Sequence, residues 1–347
     1  MKNRKREICT SGSVRDEDGQ PPHLLGRRNF LHLAAGAAAL QAVSRFAWAQ
    51  AYPSRSVRII VGFAAGGSND IYARLVGQWL SERLGQPFVI ENRPGAGANI
   101  ATEAVVKAAP DGYILLLVNP ANAINATLYE RLNFNFIRDI APVASMVRQP
   151  LVMVVNPSVP AKTVPELIAY ARSNPGKISM ASGGNGSVNH VAGELFKMMT
   201  DVNLVHVPYR GAGPALADLL GGQVDLFFGG VASSADHVKA GKLRALAVTT
   251  AAPSESLPNT PAVGEFVPGY EASDWFGLGA PKATPAKIID NLNAEVNAGL
   301  ADAKFRTRIS DLGGVVVRGS PVDFGKLIGE ETEKWAKVVK FSGAKPD

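Results

Sequence analysis

From Val57 onward, short apolar runs alternate with amphipathic stretches of helical period. Val57-Arg58-Ile59-Ile60-Val61 predicts a strand, then a Gly-rich turn and a helix from about Asn69 to Leu84. Phe88-Val89-Ile90 predicts a second strand, Asn99 to Ala108 a second helix, and Tyr113 to Val118 a third strand. Such alternation implies a parallel sheet with right-handed crossovers. After Ile140 the rhythm changes. Two extended runs, Val143 to Val147 and Leu151 to Val155, stand close together, as where a chain leaves one domain for another. A second α/β series opens at Thr163-Val164-Pro165-Glu166, a capping-box start with Pro in the first turn. Its strands are expected near Ile178 to Ala181, Leu204 to Val207, Val224 to Phe228 and Leu243 to Val248. The Pro-rich, aperiodic stretch from Ala251 to Gly269 reads as the return crossing. A strand near Phe276 to Ala280 and helices at about 285–300 and 321–341 complete the chain. The expected organisation is α/β with two lobes, 50–148 plus 268–347 and 149–267, joined by two crossover segments. A ligand cleft lies between such lobes, where strand C-termini face a crevice.

Residues 1–49 are excluded from that fold because they carry an export pattern. Arg27-Arg28-Asn29-Phe30-Leu31 is a twin-arginine motif, an Ala-rich apolar stretch to Val43 follows, and Ala47-Trp48-Ala49 offers a small-x-small cleavage site. The apolar stretch is too short for the about 20 residues that span a bilayer. The expected location is the periplasm. The leader changes the charge argument. It holds eight of the 36 Lys and Arg and four of the 30 Asp and Glu, so the remainder carries 28 against 26 rather than a net +6. No basic stripe is left to hold nucleic acid. The single cysteine, Cys9, also lies in the leader, so the remainder has no disulfide, thiolate ligand or cysteine nucleophile.

Candidate chemistry sits in loops that follow strands and open helices. Phe63-Ala64-Ala65-Gly66-Gly67-Ser68-Asn69-Asp70 offers free N–H groups and a helix dipole to an anion, but it is neither a Walker loop nor G-x-G-x-x-G. An ordinary turn capped by Asn69 or Asp70 explains it about as well. Ser182-Gly183-Gly184-Asn185-Gly186-Ser187-Val188-Asn189-His190 is its counterpart in the other lobe. Two such N-termini facing each other would grip one small carboxylate, a more specific signal than either alone. Val207-Pro208-Tyr209-Arg210-Gly211 adds a phenol and a guanidinium suited to a carboxylate, though a surface arginine is as common a reading. Gly229-Gly230 and the Asn119 to Asn122 segment, Asn122 included, are further candidate edges. Enzymatic constellations are missing. His190, His206 and His237 have no metal-ligand spacing, and neither G-x-S-x-G nor H-E-x-x-H occurs. No cofactor, metal or catalytic residue is expected.

Several motifs in order carry a resemblance. They are Tyr52-Pro53-Ser54-Arg55-Ser56-Val57, Gly66-Gly67-x-x-Asp70, Glu91-Asn92-Arg93-Pro94-Gly95-Ala96-Gly97-Ala98-Asn99-Ile100 and Pro110-Asp111-Gly112-Tyr113. To these add His206-Val207-Pro208-Tyr209-Arg210-Gly211, Leu220-Gly221-Gly222-Gln223-Val224-Asp225, Gly241 to Val248 and Trp275-Phe276-Gly277-Leu278. The chain resembles the Bordetella uptake (Bug) receptors, the solute-binding components of tripartite tricarboxylate transporters. The resemblance implies a Venus-flytrap periplasmic binding protein of type II. It also implies a carboxylate held by backbone N–H groups of two Gly-rich loops, and delivery to large and small membrane subunits. It places the first-lobe contacts on Ala65, Gly66, Gly67, Asn69 and Asp70. The second-lobe contacts fall on Ser182, Asn185, Gly186 and Ser187, with Tyr209 nearby. Arg210, Asn122 and Gly229 are expected at the edges, and the receptor is expected to be a monomer. Departures fall in the return crossing, where the family usually has an Arg aligned with 251–256 and Pro-Thr in place of Pro261-Ala262. Competing readings are a receptor for an ATP-driven transporter or a sensor kinase, and a periplasmic enzyme with an α/β cleft.

Overall fold

The computed structural model describes residues 52–250, 257–342 and 344–346. The export signal expected over 1–49 and the 251–256 part of the return crossing lie outside these residues.

β1 (Val57–Val61) pairs in parallel with both β2 (Phe88–Asn92) and β3 (Ile114–Val118). The crossovers are α1 (Ser68–Leu84) and α2 (Asn99–Val106). Directly after β3 comes α3 (Pro120–Leu128), then a one-turn α4 (Phe136–Asp139). Asn119 thus does more than end a strand: it caps α3 with Pro120 at the first helical position.

The two extended runs expected near 143–155 are one strand, β4 (Ile140–Val155). Its first part, to Pro150, pairs antiparallel with β9 (Ser273–Pro281). From Leu151 it pairs instead with β7 (Leu226–Gly230), and from Val152 also with β8 (Arg244–Val248). Pro150 stands where the partner changes, a position at which a missing N–H disrupts a ladder least. The set of partner strands therefore changes inside a continuous strand rather than across a break.

The second series runs α5 (Val164–Ser173), β5 (Ser179–Ser182), α6 (Val188–Thr200), β6 (Val205–Pro208), α7 (Ala212–Leu220), β7, α8 (Val231–Lys239) and β8. Thr163 caps α5 through the Glu166 N–H at 3.3 Å, and the Glu166 carboxylate accepts the Lys162 N–H at 2.8 Å. β5 is parallel to β6 and β7. β9 returns between β3 and β4, and α9 (Ala286–Ala301), α10 (Ala303–Asp311), β10 (Val315–Val316) and α11 (Pro321–Ser342) close the chain. The strand path is β2-β1-β3-β9-β4-β7-β5-β6.

Each half of this path is covered on both faces, as apolar strands require. Ile59, Leu115 and Phe276 pack with α1, α9 and α10 on one face of the first half, and Ile60, Leu116 and Trp275 with Phe324 and Ile328 of α11 on the other. In the second half, Met153, Met180, Phe196 and Phe228 oppose Val152, Val154, Phe227 and Val248 across the strands. The fold is a two-lobed α/β binding-protein fold. No described helix is long and apolar enough to cross a membrane.

Candidate functional site

The first Gly-rich loop runs from the end of β1 to the start of α1. Gly66 holds φ +87°, a left-handed conformation that disfavours any β-carbon. Gly67 is the N-cap of α1 and makes no side-chain cap, so the Ser68 and Asn69 N–H groups stay available, while the Asp70 N–H donates to Gly67 O at 3.0 Å. Asp70 shapes this loop. Its carboxylate accepts the Gly66 N–H at 3.3 Å and Arg74 Nε at 2.9 Å. Burial raises the Asp70 carboxyl, but hydrogen bonds from Arg74, Gly66 and Asn92 with the Arg74 charge outweigh it and leave it below the usual range. Asn69 Oδ1 accepts Asn119 Nδ2 at 2.6 Å, tying the starts of α1 and α3 together.

The second loop joins β5 to α6 and is held from within. Ser187 caps α6 by accepting the His190 N–H at 3.3 Å, and its hydroxyl donates to Gly184 O at 2.7 Å. Ser182 Oγ accepts the Gly184 N–H at 3.1 Å and lies 2.6 Å from His206 Nε2. Asn189 Nδ2 donates to Phe228 O at 2.6 Å, which fixes α6 to β7. Both serines are buried, so they present the loop's backbone rather than their own hydroxyls.

The loops of the two lobes meet. Ala64 N–H donates to Arg210 O at 3.0 Å. A β-carbon on Gly67 would lie 2.9 Å from Ala212 Cβ, and one on Gly230 would collide with Ser68 Oγ. The N-termini of α1, α7 and α8 therefore converge, with that of α6 beside them: a β-carbon on Gly183 would lie 3.5 Å from Ala212 N and 3.1 Å from Oδ1 of Asn189 in the first turn of α6. Their dipoles add at that point. Ser68 Oγ and Ser234 Oγ are buried there without a hydrogen-bond partner.

Beside this convergence opens a space of about 370 Å³ lined by Gly62, Phe63, the 94–98 segment, Ile100, Gly183, Gly184, Tyr209 and Arg210. Among the described residues lining it, Arg210 is the one charged residue and none is an acid. Four consecutive residues of its wall, Gly95, Ala96, Gly97 and Ala98, hold positive φ. Two alanines in that region are strained backbone of the kind that clusters at ligand sites.

The structure brings Ala65, Gly66, Gly67, Ser182, Asn185, Gly186, Tyr209 and Arg210 to the facing loops of the two lobes. Tyr209 contributes a ring wall, because its hydroxyl is bound to Asp218 Oδ2 at 2.7 Å. Asn122 is turned inward: it accepts the Asn119 N–H at 3.0 Å and donates to Thr102 Oγ1 at 2.9 Å. Gly229 is buried in β7 opposite Val152, one residue before the α8 N-cap. The 94–98 wall, Phe63, Gly183 and Ala212 were not among the expected contacts. The Pro94-Gly95-Ala96-Gly97-Ala98 motif carried a visible signal, two glycines after a strand end; Phe63 and Ala212 carried none. No group of three or more His, Cys, Asp or Glu among the described residues forms a metal site.

A two-lobed fold with a backbone-rich, anion-friendly cleft defines the class of solute-binding proteins. Residues 72–343 match the model of the tripartite tricarboxylate transporter family receptor. The chain is 37% identical over 300 residues to protein BugT of Bordetella pertussis, covering 86% of this chain and 92% of BugT. Among solved structures, R. palustris Rpa4515 with adipate superposes with a TM-score of 0.83 at 38% identity, over 85% of this chain and 100% of that one. MatC from Rhodopseudomonas palustris with bound malate gives 0.80 at 33%, over 83% and 100%. The chain belongs to the tripartite tricarboxylate transporter receptor family, whose members are periplasmic solute-binding receptors.

Proposed function

We propose that the protein captures a small carboxylate-bearing molecule in the periplasm and delivers it to the large and small membrane subunits of a tripartite transporter. It acts as a monomer, after export through its twin-arginine signal, and carries out no chemistry on its ligand. The carrying observation is the convergence of four helix N-termini at a seam between lobes whose adjoining cleft, among the described residues, contains an arginine and no acid. The adipate and malate held by similar proteins agree with it. In this reading the lobes are 50–148 with 268–347 and 149–267, and the change of partner along β4 at Pro150 and Leu151 supports that division. One ligand carboxylate meets the backbone N–H groups that internal bonds leave over between Ala65 and Asn69 and between Ser182 and Ser187, with Asp70 holding the Gly66 N–H and Ser182 and His190 holding those of Gly184 and Gly186. Tyr209, Arg210, Asn122 and Gly229 act at or behind the edges.

A thermal-shift screen of the chain without its leader tests this, using mono-, di- and tricarboxylates, aromatic acids and acidic amino acids. A ligand at 100 times its Kd stabilises by about 2.7 kcal/mol, so a carboxylate hit is readily seen. Gly66→Val is expected to abolish that hit, because a β-branched residue resists φ +87° and blocks backbone approach. A panel with no stabilising carboxylate, or undiminished binding by the folded variant, overturns the reading.

A further inference from the structure

Two imidazoles stand behind the second Gly-rich loop, and the ligand contact proposed above does not use them. His190 on α6 and His206 on β6 stack with ring centroids 4.0 Å apart and planes 13° from parallel. Each touches the loop through one nitrogen. Ser182 Oγ accepts the Gly184 N–H at 3.1 Å, and its single hydrogen needs an acceptor, since the hydroxyl is fully buried. His206 Nε2, at 2.6 Å, is that acceptor, which places the His206 hydrogen on Nδ1. His190 Nδ1 accepts the Gly186 N–H at 3.3 Å, which places its hydrogen on Nε2, 3.8 Å from Glu194 Oε1. The two rings therefore carry opposite tautomers.

We infer that His206 and His190 are positioning residues, neutral hydrogen-bond acceptors that hold the Ser182 to Ser187 loop, through its Gly184 and Gly186 N–H groups, in the shape that presents its other N–H groups to the ligand. The inference rests on the reading that this loop contacts the carboxylate. A proton on His190 turns the acceptor of the Gly186 N–H into a donor aimed at a donor, and a proton on His206 makes the Ser182 hydroxyl turn round and leaves its hydrogen buried without that acceptor, so the loop's anchoring is weakened at both points. The groups facing the pair are each other, Ser182 on β5, and Glu194 and Lys197 on α6, which are themselves paired at 2.9 Å. Burial, with the Lys197 charge, pushes His190 down to about 4. Burial, with His190 and Lys197 and against Glu194, pushes His206 down to about 4. Both rings are thus neutral near pH 7, as the two hydrogen bonds require.

Nitrogen-detected NMR of the imidazoles at pH 7 reads the tautomers directly. The expected result is Nδ1–H at His206 and Nε2–H at His190, with the Gly184 and Gly186 amide signals moving together with the imidazole titration in acid. The same tautomer on both rings, titration near 6.5, or glycine signals that ignore the titration overturns the inference, whatever the ligand result. In binding assays with adipate or malate, whichever stabilises the wild type, His206→Leu is expected to lose at least tenfold in affinity. His206→Gln, which keeps an acceptor, is expected to stay within about threefold. A folded His206→Leu that binds like the wild type overturns the inference and leaves the receptor reading intact. A wild type that binds no carboxylate overturns the receptor reading, and the tautomers and glycine shifts still decide the hydrogen bonds.

Discussion

At the scale of single residues, the least expected group is Asp274, fully enclosed where the two crossing strands pair opposite Gln149. Burial pushes its carboxyl up to about 7, against the hydrogen bond from the Trp275 N–H, and the neighbouring Glu331 charge adds to the rise. The folded state therefore binds this proton more tightly than the unfolded chain, so stability falls as pH rises from about 4 to about 7. Asp274→Asn keeps the acceptor and removes the charge. It is expected to stabilise the protein at pH 8 by roughly 2–4 kcal/mol, shrinking toward zero near pH 4. The shifts at His190 and His206 act in the opposite sense, weakening the fold as pH falls from 6.5 toward 4, but they are common to both proteins and cancel in the difference. Urea melts across that range check it, and a pH-independent difference would refute the buried-charge account. Nothing around Asp274 in sequence announces its burial, because Ser273 and Trp275 suit a turn as well as a strand.

At the scale of elements, α11 does more than its sequence suggested. Its buried positions Phe324, Ile328, Glu331, Trp335 and Val339 recur at helical spacing, so the helix itself was legible from periodicity. Its partners were not. Phe324 and Ile328 enter the core beside Trp275 in the first half, whereas Trp335 and Val339 enter the core with Phe196 and Phe228 in the second. Between them Glu331 Oε2 accepts Trp275 Nε1 at 3.1 Å and Trp335 Nε1 at 2.9 Å, and Arg148 lies 3.5 Å from Oε1. The helix thus bonds the two cores together beside the crossing strands. Trp335→Ala is expected to cost about 3–5 kcal/mol through the cavity it leaves. Because α11 serves both cores, the melt should remain a single transition, and separate unfolding of one half in calorimetry would contradict this coupling. α3 was missed as a helix for a related reason. Its polar Asn122 and Asn125 look like loop residues in one dimension, and become helix formers once Asn119, Thr102 and Gly97 accept and donate around them.

At the scale of the whole molecule, the lobes touch through backbone. A β-carbon on Gly213 would collide with Ala65 O, and one on Gly97 would lie 2.7 Å from Asn185 O. The described arrangement is therefore one in which these loops are in backbone contact, and a ligand that favours it shifts the population toward it. Gly213→Val is expected to leave the fold intact but hold the lobes apart, lowering carboxylate affinity at least tenfold. Small-angle scattering should then show no ligand-induced contraction where the wild type contracts. Contraction of the variant equal to the wild type would show that this seam does not control closure.

Most strands and helices were readable in the chain because their signal is local: apolar periodicity, Pro and Gly punctuation, and side-chain caps such as that of Thr163. The two Gly-rich loops were readable for the same reason, since a strand end, two glycines and a helix start occupy adjacent positions. What meets across the cleft was not local. Gly67 finds Ala212 and Ala64 finds Arg210 across well over a hundred residues, and β4 becomes one strand only because β9 and β7 pair with its successive parts. The residue types of Asp70, Ser182 and Tyr209 allowed either a ligand contact or an internal bond. Only the folded neighbours, Arg74, His206 and Asp218, decided that their polar atoms are spent within the protein, because a hydrogen bond depends on distance and direction that sequence order does not contain.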